Sequence, residues 1–189
     1  MLTIKLPDGS EKHFEKPTNG IEIAESIGEN LAKAAVAIEI DGKQHDLSDE
    51  ISNDAMVSII TLNSDAGLEI MRHTLTAQVL ARAVKNLYPN SKLAIGPTVT
   101  DGFYYDFEID KQLSIDDLPK IEEEMKKIIK QESKIIKSFH SKKDAISLFE
   151  KKSENYKIEI IKNSNQEDNF QIYQPVSYTH LTLPTKRIV

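Results

Sequence analysis

Leu2-Thr3-Ile4-Lys5-Leu6 alternates apolar and polar positions, Pro7-Asp8-Gly9-Ser10 carries turn residues, and Glu11 to Glu15 is able to run back, so the chain is predicted to open on a β-hairpin. Ile23 and Ile27 stand four apart and Gly28 follows, the pattern of a short helix with a glycine stop. Ala35 to Ile40 reads as a strand ended by the hairpin turn Asp41-Gly42, and Val57 to Thr61 reads as the last strand of the unit.

The period then changes. Asn63-Ser64-Asp65 offers helix caps, and from Gly67 through Leu87 the apolar residues Leu68, Met71, Leu75 and Val79 recur at helical spacing until Tyr88-Pro89-Asn90 stops the run. A second helix is predicted from Asp116 to about Gln131. Its stripe is Leu118, Ile121, Met125, Ile128 and Ile129, with the Glu122 to Lys130 run on the solvated face. Ser141 to Lys151 reads as a third, capped by Ser141, with Ala145, Leu148 and Phe149 inward. Strand candidates lie at Gly102 to Ile109, Lys134 to Phe139 and Tyr156 to Ile161. These patterns predict an α+β chain: a small ubiquitin-like β-grasp domain over residues 1–61, then a second α+β domain over 62–174.

Composition narrows the chemistry. The 189 residues, 39% hydrophobic and 29% charged, suit a globular chain. Apolar runs such as Ala34 to Ile38 fall far short of the roughly 18 residues that span a bilayer, and Met1 to Lys5 does not resemble a secretory leader, so a cytoplasmic address is expected. With no cysteine, the chain offers neither a disulfide nor a thiolate metal ligand. The net charge of −6 is unevenly spread: residues 1–61 hold 5 Lys against 12 Asp and Glu, and the remainder 19 Lys and Arg against 18 Asp and Glu. Phosphate binding rests on cations, so any nucleic-acid contact is expected in the second part.

The most distinctive block is Lys92-Leu93-Ala94-Ile95-Gly96-Pro97 followed by Asp101-Gly102-Phe103-Tyr104-Tyr105-Asp106-Phe107, downstream of the helical Arg72-His73-Thr74. Neighbours on a strand point to opposite faces, so three consecutive aromatics place at least one outward, as in a pocket wall. A helix, an Ala-Ile-Gly-Pro turn and a Gly-Phe-Tyr-Tyr-Asp strand in this order resemble the N-terminal region of threonyl-tRNA synthetases, over most of residues 1–174. The first unit likewise resembles the TGS module at the front of those enzymes and of some GTPases and alarmone synthetases.

The resemblance implies that the second domain is an editing domain, which hydrolyses tRNA charged with serine in error. Serine lacks one methyl of threonine, a difference that gives a single binding site only about 10–200-fold selection, and a second, hydrolytic site supplies the remainder. The family pocket contains two histidines one helical turn apart, completed by a later Cys-Arg-Gly-Pro-His block. Here the position four after His73 is Ala77; counted from Ala81-Arg82-Ala83-Val84 instead, the pair falls on Thr74 and Gln78. Neither register keeps two histidines. His73 reads either as part of a remnant editing site or as a partly buried histidine beside Ala77, Leu80 and Val84. Tyr104 reads as a pocket residue for the terminal ribose or adenine, or as core. Lys157 matches a family segment whose lysine lines the pocket; the plain alternative is an exposed lysine on an edge strand. His13, His45 and His140 read as surface residues, and with His180 they form no metal constellation.

From Pro175 to Val189 acidic residues and periodicity are absent and the Cys-Arg-Gly-Pro-His block does not appear, so this segment is expected to be a loosely attached, non-native tail. The resemblance implies threonine, ATP, magnesium and zinc chemistry only in a catalytic domain outside this chain, with no cofactor or metal in the chain itself. It also implies threonine tRNA as the partner of the second domain, a homodimer for the complete enzyme and a monomer for this part. A free-standing TGS-type module that binds RNA or protein without catalysis is the competing reading.

Overall fold

A computed structural model of the chain describes residues 1–94, 96–133, 135–175 and 180–182. The chain divides into two compact units, Met1–Arg72 and the part from His73 onward.

In the first unit, β1 (Leu2–Lys5), β2 (Glu11–Phe14), β4 (Ala35–Ile40), β5 (Lys43–His45) and β7 (Ala55–Thr61) form a sheet in the order β2-β1-β7-β4-β5. Its central pair β1/β7 is parallel and the other pairs are antiparallel, the arrangement of a β-grasp sheet. A short ladder joins β3 (Thr18–Asn19) to β6 (Glu50–Ile51). Helix α1 (Gly20–Ile27) is capped by Asn19, whose side chain accepts from the Glu22 amide, while Thr18 Oγ1 donates to Glu22 at 2.8 Å. Helix α2 (Glu29–Ala34) had no clear signal in the sequence. Ile23 from α1 packs on Leu2, Ile4, Ile38, Ile51 and Val57, each buried side chain contributing about 1.5–3 kcal/mol. The Asp41-Gly42 turn has positive φ at both residues, 48° and 79°, as a two-residue hairpin requires.

The second unit begins within α3 (Asp65–Thr74), which runs through a π-helical turn at Leu75–Leu80 into α4 (Ala81–Leu87). On one side α4 meets α5 (Leu118–Lys130), where Ala83, Ile121 and Ile128 are buried together. Ala81, Val84 and Leu93 form the core on the other, with Tyr105 and Phe107 against them. The predicted strand over Gly102 to Ile109 is instead two short pieces. β10 (Gly102–Phe103) pairs with β9 (Thr98–Val99), and β11 (Phe107–Glu108) pairs with β8 (Lys92–Leu93).

Two further expectations are corrected. Tyr156 to Ile161 is helical: α7 (Asn155–Asn163) buries Lys157, Ile158 and Ile161. In this segment the buried positions 157, 158 and 161 recur at helical spacing, which overrides the β-branched content that suggested a strand. In α5 the stripe is narrower than expected, since Ile121 and Ile128 are buried but Leu118 and Ile129 are more than half exposed. Helix α6 (Lys142–Glu150), capped by Ser141, packs Ala145 and Phe149 against α7 and against Phe170 and Ile172 of β13 (Phe170–Pro175). β13 is the middle strand between β12 (Ile135–His140) and β14 (His180–Thr182). The expected loose tail therefore contains a paired strand, with Gln171, Ile172 and Tyr173 opposite Thr182, Leu181 and His180. Residues 176–179 and 183–189 lie outside the described residues.

Candidate functional site

The π-turn explains why the sequence supported two registers. An α-helix closes each turn with an i→i−4 hydrogen bond, whereas here the Ala81 amide reaches back to the Thr76 carbonyl, five residues away. Residues before Leu75 follow the count from His73, and those after Leu80 follow the count from Ala81. The turn absorbs the extra residue between them. Thr76, Ala77 and Gln78 on this turn are buried, and among the described residues the Gln78 side-chain oxygen finds no hydrogen-bond partner. His73 is exposed, contrary to its reading as a partly buried histidine.

The Gly-Pro turn closes on the same segment. A Cβ placed on Gly96 would stand 2.3 Å from the Tyr105 ring and 2.8 Å from Thr76 Cγ2, so only glycine admits this approach. Of the two tyrosines, Tyr105 is the inner one: it joins the Val84–Leu93 core, and burial followed by the nearby Glu154 charge pushes its hydroxyl well above the ordinary tyrosine range. Tyr104 is the outer one, 54% exposed, with its amide donating to the Pro97 carbonyl at 3.3 Å. At least one outward aromatic was anticipated; Tyr104 is outward, but from the segment between β10 and β11 rather than from a strand.

Lys157 is not an exposed edge-strand lysine. It is 4% exposed in the first turn of α7, its ammonium 3.2 Å from Glu154 Oε2 and 5.6 Å from the centre of the Phe149 ring. Glu154, 6% exposed, sits at the start of α7 but turns its carboxylate away from the helix amides; its other oxygen accepts from Lys85 of α4 at 2.9 Å. Lys85 also donates to the Ser91 carbonyl. Burial pushes the Lys157 amine below the usual lysine range, Glu154 pulls it back, and Lys85 and Lys152 push it down further. Burial likewise lowers the Lys152 amine, again opposed by Glu154.

Next to this group, Tyr156 donates to Glu108 at 2.9 Å and Lys92 lies 2.7 Å from the same carboxylate, tying α7 to the β8/β11 ladder. Sequence reasoning singled out Lys157 and Tyr104 and passed over Glu154, Lys85 and Tyr105, which pack in the same part of the structure. Lys85 and Glu154 lie far apart in the chain and have no spacing rule to join them; alternation sets Tyr104 and Tyr105 on opposite faces without saying which is the inner one. Among the described residues no three His, Asp or Glu converge as metal ligands, and no described helix is long and apolar enough to cross a membrane.

Comparison with known proteins gives this architecture a class. Residues 2–61 match the TGS domain, so the β-grasp unit is a TGS unit attached to an α+β domain. Over 181 residues, 96% of its length, the chain is 41% identical to the threonine–tRNA ligases of Acetivibrio thermocellus and Acidithiobacillus ferrooxidans, and 42% identical to that of Francisella philomiragia. The similarity is to their N-terminal region: the chain spans 28% of the length of these curated relatives.

Proposed function

We propose that this chain forms the front of a threonine–tRNA ligase: a TGS unit followed by an editing-type domain that receives the aminoacylated 3′ end of threonine tRNA. The observation that carries the reading is the unbroken 41% identity across both units, which a free-standing TGS module would match over the first unit alone. Threonine activation with ATP, magnesium and zinc belongs to the remaining part of such an enzyme, as does the homodimer contact. The chain itself is a cytoplasmic monomer in this reading.

The reaction assigned to a completed editing site is ester hydrolysis. Water adds to the seryl carbonyl, the bond to the ribose oxygen breaks, and the proton from water goes to the departing 3′-terminal hydroxyl. The two helix positions fall on His73 and Ala77 in one register and on Thr74 and Gln78 in the other; Gln78, on the π-turn, supplies a hydrogen-bonding amide but no base. Tyr104 offers an exposed ring for the terminal adenosine, and Lys157 offers a fixed cation. A reacting water must be held within about 2.6–3.2 Å of its partners. With one imidazole and without the Cys-Arg-Gly-Pro-His block, this chain is expected to bind the aminoacyl end yet turn it over poorly.

The test is hydrolysis of seryl-tRNA bearing the threonine anticodon by the purified chain and by H73A. Equal, near-background rates are expected. Robust turnover abolished in H73A refutes the dependence on residues outside this chain.

A further inference from the structure

We infer that Asn19-Gly20 is a modification site closed by the fold: the Asn19 side-chain amide is lost to aspartate or isoaspartate when helix α1 opens, and is preserved while the first unit is intact. The inference concerns the first unit and does not depend on the assignment of the second. Of the seven glycines, Gly20 alone follows an asparagine. Such a pair is chemically labile because glycine has no side chain to hinder attack by its own backbone nitrogen on the residue before it. The Gly20 nitrogen bonds to Asn19 Cγ, the bond from Cγ to the side-chain nitrogen breaks, and ammonia leaves with the proton of the attacking amide, relayed through solvent. Water then opens the cyclic imide at one carbonyl or the other, giving aspartate or isoaspartate at position 19. Water is the only co-reactant.

The fold itself calls for this pair. Position 19 is the N-cap of α1, where a side-chain acceptor is needed, and Asn19 Oδ1 accepts from the Glu22 amide at 3.0 Å. Position 20 lies hard against the sheet: a Cβ on Gly20 would stand 2.5 Å from Ile38 Cγ2 and 3.1 Å from Leu47 Cδ2. The same contacts hold the reaction off. Ring closure requires the Gly20 nitrogen to eclipse Cβ about the Asn19 Cα–C bond, and at ψ 173° the two are staggered. Rotation into line withdraws Gly20 from Ile38, gives up the cap on Glu22 and parts Asn19 from Glu50 in the β3/β6 ladder. Buried Thr18 strengthens the closure, since its hydroxyl donates to the Glu22 carboxylate at 2.8 Å. Conversion therefore follows the population of an opened α1.

The two products have different fates. Aspartate ranks with asparagine as an N-cap and suits the positive end of the helix, although it sets a like charge opposite Glu50. Isoaspartate routes the main chain through Cβ and adds a carbon before Gly20, so the cap and the close fit under Ile38 are both lost. An opening that ends in isoaspartate does not reclose to the native α1.

The test is peptide mapping by mass spectrometry of the full chain held at neutral pH, with and without denaturing urea, scoring aspartate and isoaspartate at position 19 against the other asparagines. In urea Asn19 is expected to convert faster than every other asparagine, and in buffer about tenfold more slowly or less. I38V trims the Cδ1 that stands 3.2 Å from the Gly20 Cβ position, and should raise the rate in buffer by about 2–10-fold while leaving the rate in urea unchanged. If Asn19 in urea converts no faster than the other asparagines, the site is refuted. A rate in buffer within about tenfold of that in urea overturns the closure by the fold, as does a folded I38V that converts at the wild-type rate. Should I38V fail to fold, wild type in sub-denaturing urea takes its place: a rising rate is expected, and a flat one overturns the closure.

Discussion

Lys85, Glu154 and Lys157 make a sharp stability prediction, because removing the carboxylate and removing one ammonium are not equivalent. E154Q keeps the side-chain size but removes the carboxylate that both Lys85 and Lys157 meet. Stripping one partner from a buried ion pair costs about 3–5 kcal/mol. Lys85 remains 22% exposed and is able to shift toward water, whereas Lys157 at 5% has no such route, which favours the lower end, about 3 kcal/mol. K157M leaves Glu154 paired one-to-one with Lys85 and sets a thioether near the Phe149 ring, so its effect should lie within about 1 kcal/mol of zero. With a urea dependence of about 2 kcal/mol/M, the E154Q midpoint falls by roughly 1.5 M and that of K157M by less than about 0.5 M. The assay is urea unfolding at neutral pH, followed by signals from the second unit. A pH series adds a second criterion. Because the native Lys157 amine lies below the ordinary 10.5, the folded protein carries the cost of a buried ammonium at low pH and sheds it as pH rises through the native value toward 10.5. Wild type should gain stability over that window and K157M should lack the gain. Equal losses in E154Q and K157M would refute the reasoning, since they would mean that Lys157 stabilises as a simple pair.

Two glycines separate close packing from mere helix signalling. A Cβ on Gly67 would stand 1.9 Å from the Thr61 carbonyl oxygen, so G67A is expected to lose about 1–3 kcal/mol from overpacking, more than the roughly 1 kcal/mol that alanine returns in helix propensity. Gly28, with φ 170° and open space around its Cβ, is the control: G28A should be neutral or gain about 0.4–1 kcal/mol in thermal unfolding of the same chain. Asp117 accepts from Lys111 at 2.6 Å and from the Ser114 amide, which hold its carboxyl at about 2. Its contribution is present above the ordinary 3.8 and lost as pH falls from there toward about 2, so D117N should flatten that part of an acid-unfolding curve; an unchanged acid slope would count against the pairing.

The first unit was largely readable because its local signals agree with its packing. Strand alternation at Leu2 to Lys5 and the Asp41-Gly42 turn each describe structure that forms, and of the Ile23/Ile27 pair Ile23 enters the core while Ile27 stays exposed. In the second unit the failures have specific physical sources. Ser153 adopts a left-handed backbone that a non-glycine residue does not advertise, so the turn between α6 and α7, and with it the placement of Glu154, left no mark in the pattern. Tyr156 to Ile161 is rich in residues that favour strands, yet packing of Ile158 and Ile161 against Phe149 and Phe170 makes it a helix.

The candidate site was legible in proportion to how local its geometry is. Alternation among Phe103, Tyr104 and Tyr105 required at least one outward aromatic, a rule that needs only neighbouring positions, but left open which one it is. The pairs His73/Ala77 and Thr74/Gln78 could not be reconciled, because a periodicity count assumes one register along a helix and this helix has two. A π-turn is the form that one extra residue takes when the flanking turns must keep their faces, and here the flanks are fixed independently: Gly67 against Thr61 before it, Ala83 and Val84 in separate cores after it. The extra residue therefore stays in the turn, where Gln78 is buried and the Gly96-Pro97 turn closes on Thr76. The pattern along the chain contradicts itself at this turn because the packing before and after it holds two different registers.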